Sequence, residues 1–141
     1  VVEPETEEDA AKLVHALEVR SKRMAKSIGV TGPQRLVIRL IGQRPNQTPT
    51  ELAAMMNVHP STLTGALARL EARALVTRAV DSGDRRRVRL TLTPAGKQID
   101  RLQRGTVEAA VRRALGRIGE RRLAQTQLAL DQLIAELTRG E

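Results

Sequence analysis

The side chains able to do chemistry are few, and most of them are cationic. Arg85, Arg86 and Arg87 follow Asp84 directly, and Ser61, Thr62, Thr64 and Gly65 cluster ahead of Arg69. A run of guanidiniums after Asp81-Ser82-Gly83-Asp84 is what a turn can offer to a narrow groove of negative potential. Small hydroxyls on one helical surface can reach base edges or phosphates. The plainer readings are a solvated charged turn for the arginines and ordinary helix capping for the hydroxyls.

Catalysis is poorly provided for. The chain holds 2 His and no Cys, so a Ser-His-Asp relay would have to use His15 or His59, and the residues stand in no such order. Neither a phosphate-cradling glycine loop nor a paired-carboxylate site is present. The two histidines are far apart with no carboxylate at ligand spacing, so no metal is expected, and disulfides and thiol redox chemistry are excluded. Met55-Met56 could sense oxidation, but Met at helical spacing is usually core filler. The expectation is a binding protein without cofactor, not an enzyme.

Charge narrows the class of partner. The 141 residues suit one domain or one subunit of an oligomer. Lys and Arg number 24 against 16 Asp and Glu, an excess that bears on partners rather than on fold. All of it lies in the middle: residues 31–104 hold 13 Lys/Arg and 5 Asp/Glu, whereas 1–30 hold 5 and 6, and 105–141 hold 6 and 5. A basic centre between near-neutral arms is the footprint of a DNA-reading core on an assembly scaffold, and a solvated basic face is the plain alternative. With no Phe, Tyr or Trp, platforms that stack unpaired bases cannot be built, so a nucleic-acid partner is expected to be duplex. Val1–Asp9 is acidic, no apolar run approaches the roughly 18 residues of a membrane span, and nothing resembles a secretory signal. A soluble cytoplasmic protein without a membrane partner is expected.

The elements that must position these groups follow from periodicity and caps. Ala10, Leu13, Val14, Leu17, Met24 and Ile28 predict a helix over about 7–28, stopped by Gly29. Thr31-Gly32-Pro33-Gln34 restarts one that runs to about Ile41, with Leu36/Val37 and Leu40/Ile41 as its apolar stripe. Thr48-Pro49-Thr50-Glu51 is a second capping box and opens a short helix over about 49–56. After Asn57-Val58-His59, Pro60 opens another, which buries Leu63, Ala66, Leu67 and Leu70 and leaves Ser61, Thr62, Thr64, Gly65 and Arg69 outward. Two helices joined by so short a turn form a helix-turn-helix. Val76–Val80 and Arg87–Thr93 alternate around the Asp-rich turn and predict a β-hairpin. Thr93-Pro94 begins a fifth helix, expected to run to Gly116 or Gly119 with Gly105 as a weak point, and a last helix is expected over about 120–138. The fold class is mostly α with a small β-hairpin wing: a winged helix-turn-helix core flanked by helical dimerisation arms. The expected division is an N-terminal arm (1–30), a DNA-binding region (31–93) and C-terminal helices (94–141) within one compact subunit.

Certain junctions are more specific than their elements. Thr31-Gly32-Pro33-Gln34 leads into Leu36-Val37-Ile38; Glu51-Leu52-Ala53, Ser61-Thr62-Leu63-Thr64 through Leu70-Glu71, and Leu75-Val76-Thr77-Arg78 follow. Asp84-Arg85-Arg86 then precedes Leu92-Thr93 and Gly96. Over nearly the whole chain this order resembles the MarR family of winged helix-turn-helix regulators. The resemblance implies that Asp84 orients Arg86 at the wing tip and that Arg86, flanked by Arg85 and Arg87, enters the minor groove. It places Pro60, Ser61, Thr62, Thr64 and Arg69 in the major groove or on its phosphates, with Gly65 permitting close approach and with Thr48 and Arg78 as backbone clamps. Two features depart from the family pattern: Ala74 stands where a left-handed Gly is usual, and the absence of aromatic residues makes an aromatic effector less expected.

The terminal helices carry longer apolar stripes than so small a core needs. Leu13, Leu17, Leu123, Leu130, Leu133, Ile134 and Leu137 are therefore expected to pair with a second copy. A two-fold axis would set two recognition helices roughly 34–36 Å apart and require a pseudo-palindromic duplex. The expected function is a homodimeric, sequence-specific transcriptional regulator, a repressor released by a small-molecule effector bound between the arms and the core. The effector site itself is unknown from sequence. The alternatives are a non-specific architectural duplex-DNA-binding protein and an adaptor that uses the winged helix for protein contacts.

Overall fold

The computed structural model describes residues 1–139. Within them the chain forms α1 (Pro4–Ser27), α2 (Gly32–Gln43), α3 (Pro49–Met55), α4 (Pro60–Ala72), β1 (Val76–Val80), β2 (Val88–Leu92), α5 (Pro94–Arg101), α6 (Val107–Leu115) and α7 (Glu120–Thr138). The mostly helical winged architecture read from the sequence is the one observed.

Local chemistry explains the helix starts. Thr31 and Thr48 each accept from the backbone N–H three residues on, while Gln34 and Glu51 reach back to the cap N–H, so both capping boxes close. Each helix also has Pro in its first turn, where a missing N–H costs nothing. The core that these helices share is made of Val30, Val37, Ile38, Ile41, Leu52, Ala53, Leu63, Leu67, Leu70, Leu75, Val76 and Leu90. Every one of these lies between residues 30 and 90. By contrast, α7 buries no residue and α1 buries only Met24. Leu36, part of the apolar stripe of α2 by periodicity, is 48% exposed.

The hairpin pairs antiparallel, with Val76 opposite Leu92 and Val80 opposite Val88. A third piece of chain, unforeseen in the sequence, joins its inner edge. The Leu90 N–H donates to the Gln47 carbonyl at 2.9 Å and the Asn46 N–H donates to the Leu90 carbonyl at 3.0 Å. This ties the start of α3 to the wing. Thr93 closes the hairpin on the core, its hydroxyl donating to the Ala74 carbonyl at 2.6 Å and accepting from the Gly96 N–H at 3.0 Å. A Cβ at Gly96 would collide with the Leu75 carbonyl oxygen, which gives the Leu-Thr-x-x-Gly spacing its physical reason.

The expected single helix after the wing is two helices. Its periodicity runs through residues 102–106, but Gly105 takes φ +82° and Thr106 caps a new helix, accepting from the Ala109 N–H at 3.2 Å. At the end of α5 the Ile99 carbonyl accepts from the Leu102 N–H at 3.1 Å, and Arg35 supplies further donors to the exposed carbonyl ends. Its side chain is 1% exposed. The guanidinium donates to the Ile99 carbonyl, to the Asp100 carbonyl at 2.9 Å and to Glu108 on α6 at 2.7 Å. A cation at a helix C-terminus is also favoured by the partial negative charge there.

Two changes test this account. Arg35→Met should lower the unfolding free energy by about 1–3 kcal/mol, because it leaves the Asp100 carbonyl and the partly exposed Glu108 carboxylate without their donor. A denaturant midpoint equal to that of the parent chain would mean that apolar packing alone holds the joint. Ala74 has φ +54°, a left-handed conformation that a Cβ disfavours, so Ala74→Gly should raise stability by about 0.5–1 kcal/mol in the same measurement.

Candidate nucleic-acid interface

The helix-turn-helix is formed by α3 and α4. Between them Asn57 takes φ +53°, a left-handed turn that Asn tolerates well, so no Gly is needed at that point. His59 caps α4: its Nδ1 accepts from the Ser61 N–H at 3.2 Å and lies 2.7 Å from the Ser61 hydroxyl. Leu63, Leu67 and Leu70 turn inward from α4. Pro60, Ser61, Thr62, Thr64, Gly65 and Arg69 are all exposed on its outer side. Gly65 has nothing within 4 Å of where a Cβ would stand, so no intramolecular packing demands a glycine there. Thr64 donates its hydroxyl to the Pro60 carbonyl at 3.0 Å, a bond that an incoming acceptor could replace.

The wing loop is shaped by two aspartates acting on main-chain N–H groups. Asp81 accepts from the Gly83 N–H and Asp84 from the Arg86 N–H, both at 3.0 Å. Asp84 therefore fixes the backbone at Arg86 and leaves the guanidinium outward. Arg85 and Arg86 are exposed and make no ion pair among the described residues. Arg87 lies 3.6 Å from Glu51, and Arg78 is paired with Glu71. These pairs are partly exposed, where such bridges contribute little, so both cations can exchange partners.

Arg89, which the sequence reading passed over, anchors the loop. It donates to Asp81 at 2.9 and 3.1 Å and to the Asn46 carbonyl at 2.8 Å. The Gly83 N–H, and then the Arg89 guanidinium, hold the Asp81 carboxyl below the ordinary carboxylate range. Its only sequence signal was a cation inside a strand, cross-strand from nothing acidic. Because residues 46–47 pair with Leu90, the start of α3 meets the wing. Thr48, Arg78, Arg86 and Arg87 thereby come together around a groove of about 520 Å³. The groove and the outer side of α4 can present cations, hydroxyls and backbone N–H groups to an anionic surface.

A second and larger groove, of about 1140 Å³, opens between α1, α2 and α6. Leu17, Leu36, Leu40, Met56, Val107 and Val111 give it apolar walls, and Lys22, Arg39, Arg112 and Glu108 supply charge. The residues expected to dimerise, Leu13, Leu17, Leu123, Leu130, Leu133, Ile134 and Leu137, are each at least 38% exposed in the single chain. His15 lies exposed on α1, far along the chain from the cap residue His59. Among the described residues no helix is long and apolar enough to cross a membrane.

Comparison with known proteins agrees with this geometry. Residues 30–88 match the family model described as the MarR family. The chain is 31% identical over 129 residues to the HTH-type transcriptional regulator FarR of Neisseria gonorrhoeae, covering 89% of this chain and 84% of that protein. An HTH-type transcriptional repressor of Mycobacterium tuberculosis is 30% identical over 91 residues, 64% of this chain and 66% of the relative. Among solved structures, Streptococcus pneumoniae FabT in complex with DNA superposes with a TM-score of 0.72 at 25% identity, over 94% of both chains. The chain belongs to the MarR family, a family of transcriptional regulators and not of enzymes.

Proposed function

We infer that this chain is a homodimeric, sequence-specific regulator that reads duplex DNA through α4 and the wing and represses transcription until a small molecule releases it. The observation that carries this reading is the wing tip. Asp84 holds the Arg86 backbone with its carboxylate, so two adjacent guanidiniums project without partners among the described residues, beside an open hydroxyl-bearing helix. An extended guanidinium reads the width of a narrow minor groove, while Ser61, Thr62, Thr64 and Arg69 suit major-groove edges and phosphates. FabT was solved with DNA, and the mycobacterial relative is named a repressor; both support the reading. It places the regulator in the cytoplasm, where its operator lies.

Residues 1–30 and 94–141 serve in this reading as dimerisation arms around the DNA-binding region 31–93. Among the described residues, ten of the fifteen exposed large hydrophobic side chains lie on α1, α6 and α7, more apolar surface than a single chain accounts for. A two-fold pair would present two α4 helices to successive turns of a pseudo-palindromic duplex. The 1140 Å³ groove is the site for the effector, because its walls come from both an arm and the core. An occupant that fits one spacing of the two heads better than the other shifts the population by that difference in affinity and no more.

Two measurements test the proposal. In the series Arg85→Ala, Arg86→Ala and Arg87→Ala, operator affinity should fall most for Arg86, by about 1–3 kcal/mol; equal losses would make the wing a generic charge patch. Selection of duplexes from a random pool at about 150 mM salt, where phosphate-only binding is weakened, should return one pseudo-palindrome with half-sites a helical turn apart. Binding without sequence enrichment would favour the architectural role, and no retention would favour a protein adaptor.

A further inference from the structure

Among the described residues, two surfaces outside the wing are charged almost entirely with one sign and have little counter-charge beside them. Residues 1–11 contain Glu3, Glu5, Glu7, Glu8 and Asp9 and no Lys or Arg. Residues 112–122, which end α6 and begin α7, contain Arg112, Arg113, Arg117, Arg121 and Arg122 against the single acid Glu120. All of these side chains are exposed. Among the described residues, their ion pairs are limited to Asp9 with Lys12 on the same helix at 3.3 Å. Arg112 reaches only the Gln103 side-chain oxygen, at 3.4 Å.

Each surface adjoins an unpartnered apolar helix face. Leu13, Val14 and Leu17 follow the acids along α1, and Leu123, Leu130 and Ile134 follow the arginines along α7. We propose that a second copy of this chain covers both surfaces, the acidic start of each α1 lying against the arginine corner between α6 and α7 of the other copy. This rests on the dimer inferred above and specifies its orientation.

The reason for expecting a charge-set orientation is that apolar burial is non-directional. Leucine-rich helices pair in several registers with similar affinity, whereas charge distinguishes among them. A parallel arrangement that brought arginine corner to arginine corner would be penalised by like-charge contact. The acid-to-arginine arrangement joins opposite charges, and two-fold symmetry repeats it twice per dimer. The length of α1, 24 residues or about 36 Å, lets its first turns reach well past Met24, the one buried residue of α1.

The experiment uses two full-length variants: Glu5→Lys with Glu7→Lys and Glu8→Lys, and Arg117→Glu with Arg121→Glu and Arg122→Glu. Sedimentation equilibrium at low salt should show each variant alone dimerising about tenfold or more weakly than the parent, with the gap narrowing at about 0.5 M salt as the charges are screened. An equimolar mixture should recover parent-like dimerisation as a mixed dimer, because both contacts again join opposite charges. Circular dichroism checks that each variant folds, and the milder Glu5→Gln, Glu7→Gln, Glu8→Gln set should act in the same direction if the reversed set does not. A parent chain that is monomeric overturns the dimer reading and this inference with it. A dimeric parent with variants that dimerise as well as it does, or whose mixture gains nothing, overturns this inference alone. Loss of duplex affinity in the arginine variant at an unchanged dimerisation constant also overturns it and assigns the corner to phosphate contacts.

Discussion

A guanidinium buried in a protein must find acceptors, and at Arg35 that requirement organises the subunit. Its side chain is nearly fully enclosed, and the acceptors come from two other helices, the last carbonyls of α5 and the carboxylate of Glu108 on α6. Removing any one partner would leave charge or polar atoms uncompensated. Arg35 therefore fixes where α5 stops and in which direction α6 departs, and α6 carries α7. Glu108 also lines the large apolar groove, so the same carboxylate that neutralises the joint faces the space where an effector would sit. A ligand charge placed there would compete for, or reinforce, the bond that sets the course of the arm.

The reading surface depends on a second constraint, and this one lies in the main chain. Pairing of Asn46 and Gln47 with Leu90 brings the start of α3 against the wing, and Arg89 adds a side-chain bond to the same segment. The cations of the loop then stand over Thr48 instead of trailing into solvent at random. The two aspartates of the loop spend acceptors on backbone N–H groups. Stiffening the loop in this way lowers the entropy lost when Arg86 is ordered on a partner.

Much of this was legible in the residues. Thr31 and Thr48 with their Gln and Glu partners announced two helix starts, and Asp81-Ser82-Gly83-Asp84 announced the turn. Leu63, Leu67 and Leu70 separated the inner from the outer side of α4. These features are local, with cause and effect within four residues of each other. What periodicity missed was non-local. The break at Gly105 is stabilised by Arg35, some seventy residues earlier, and an Arg among apolar neighbours reads as a surface residue until its acceptors are known. The strand-like pairing of Gln47 has no sequence pattern, because one bridge is too short to show alternation. Ala74 was recognised as standing where a glycine is usual, and its left-handed backbone shows that the turn geometry prevailed over the side chain's preference.

The distribution of buried residues also separates two kinds of order within one chain. The segment between residues 30 and 90 has its own interior, whereas α7 has no buried residue. Most helical stability in proteins comes from packing of an apolar face, and α7 buries none of its nineteen residues within its own subunit. In the proposed dimer its helicity would then be a property of the solution as much as of the sequence, rising as chains meet and fading on dilution. On that reading the number of copies present becomes an input in its own right: below a threshold abundance the folded 30–90 segment would persist in monomers without the rigid frame between two copies.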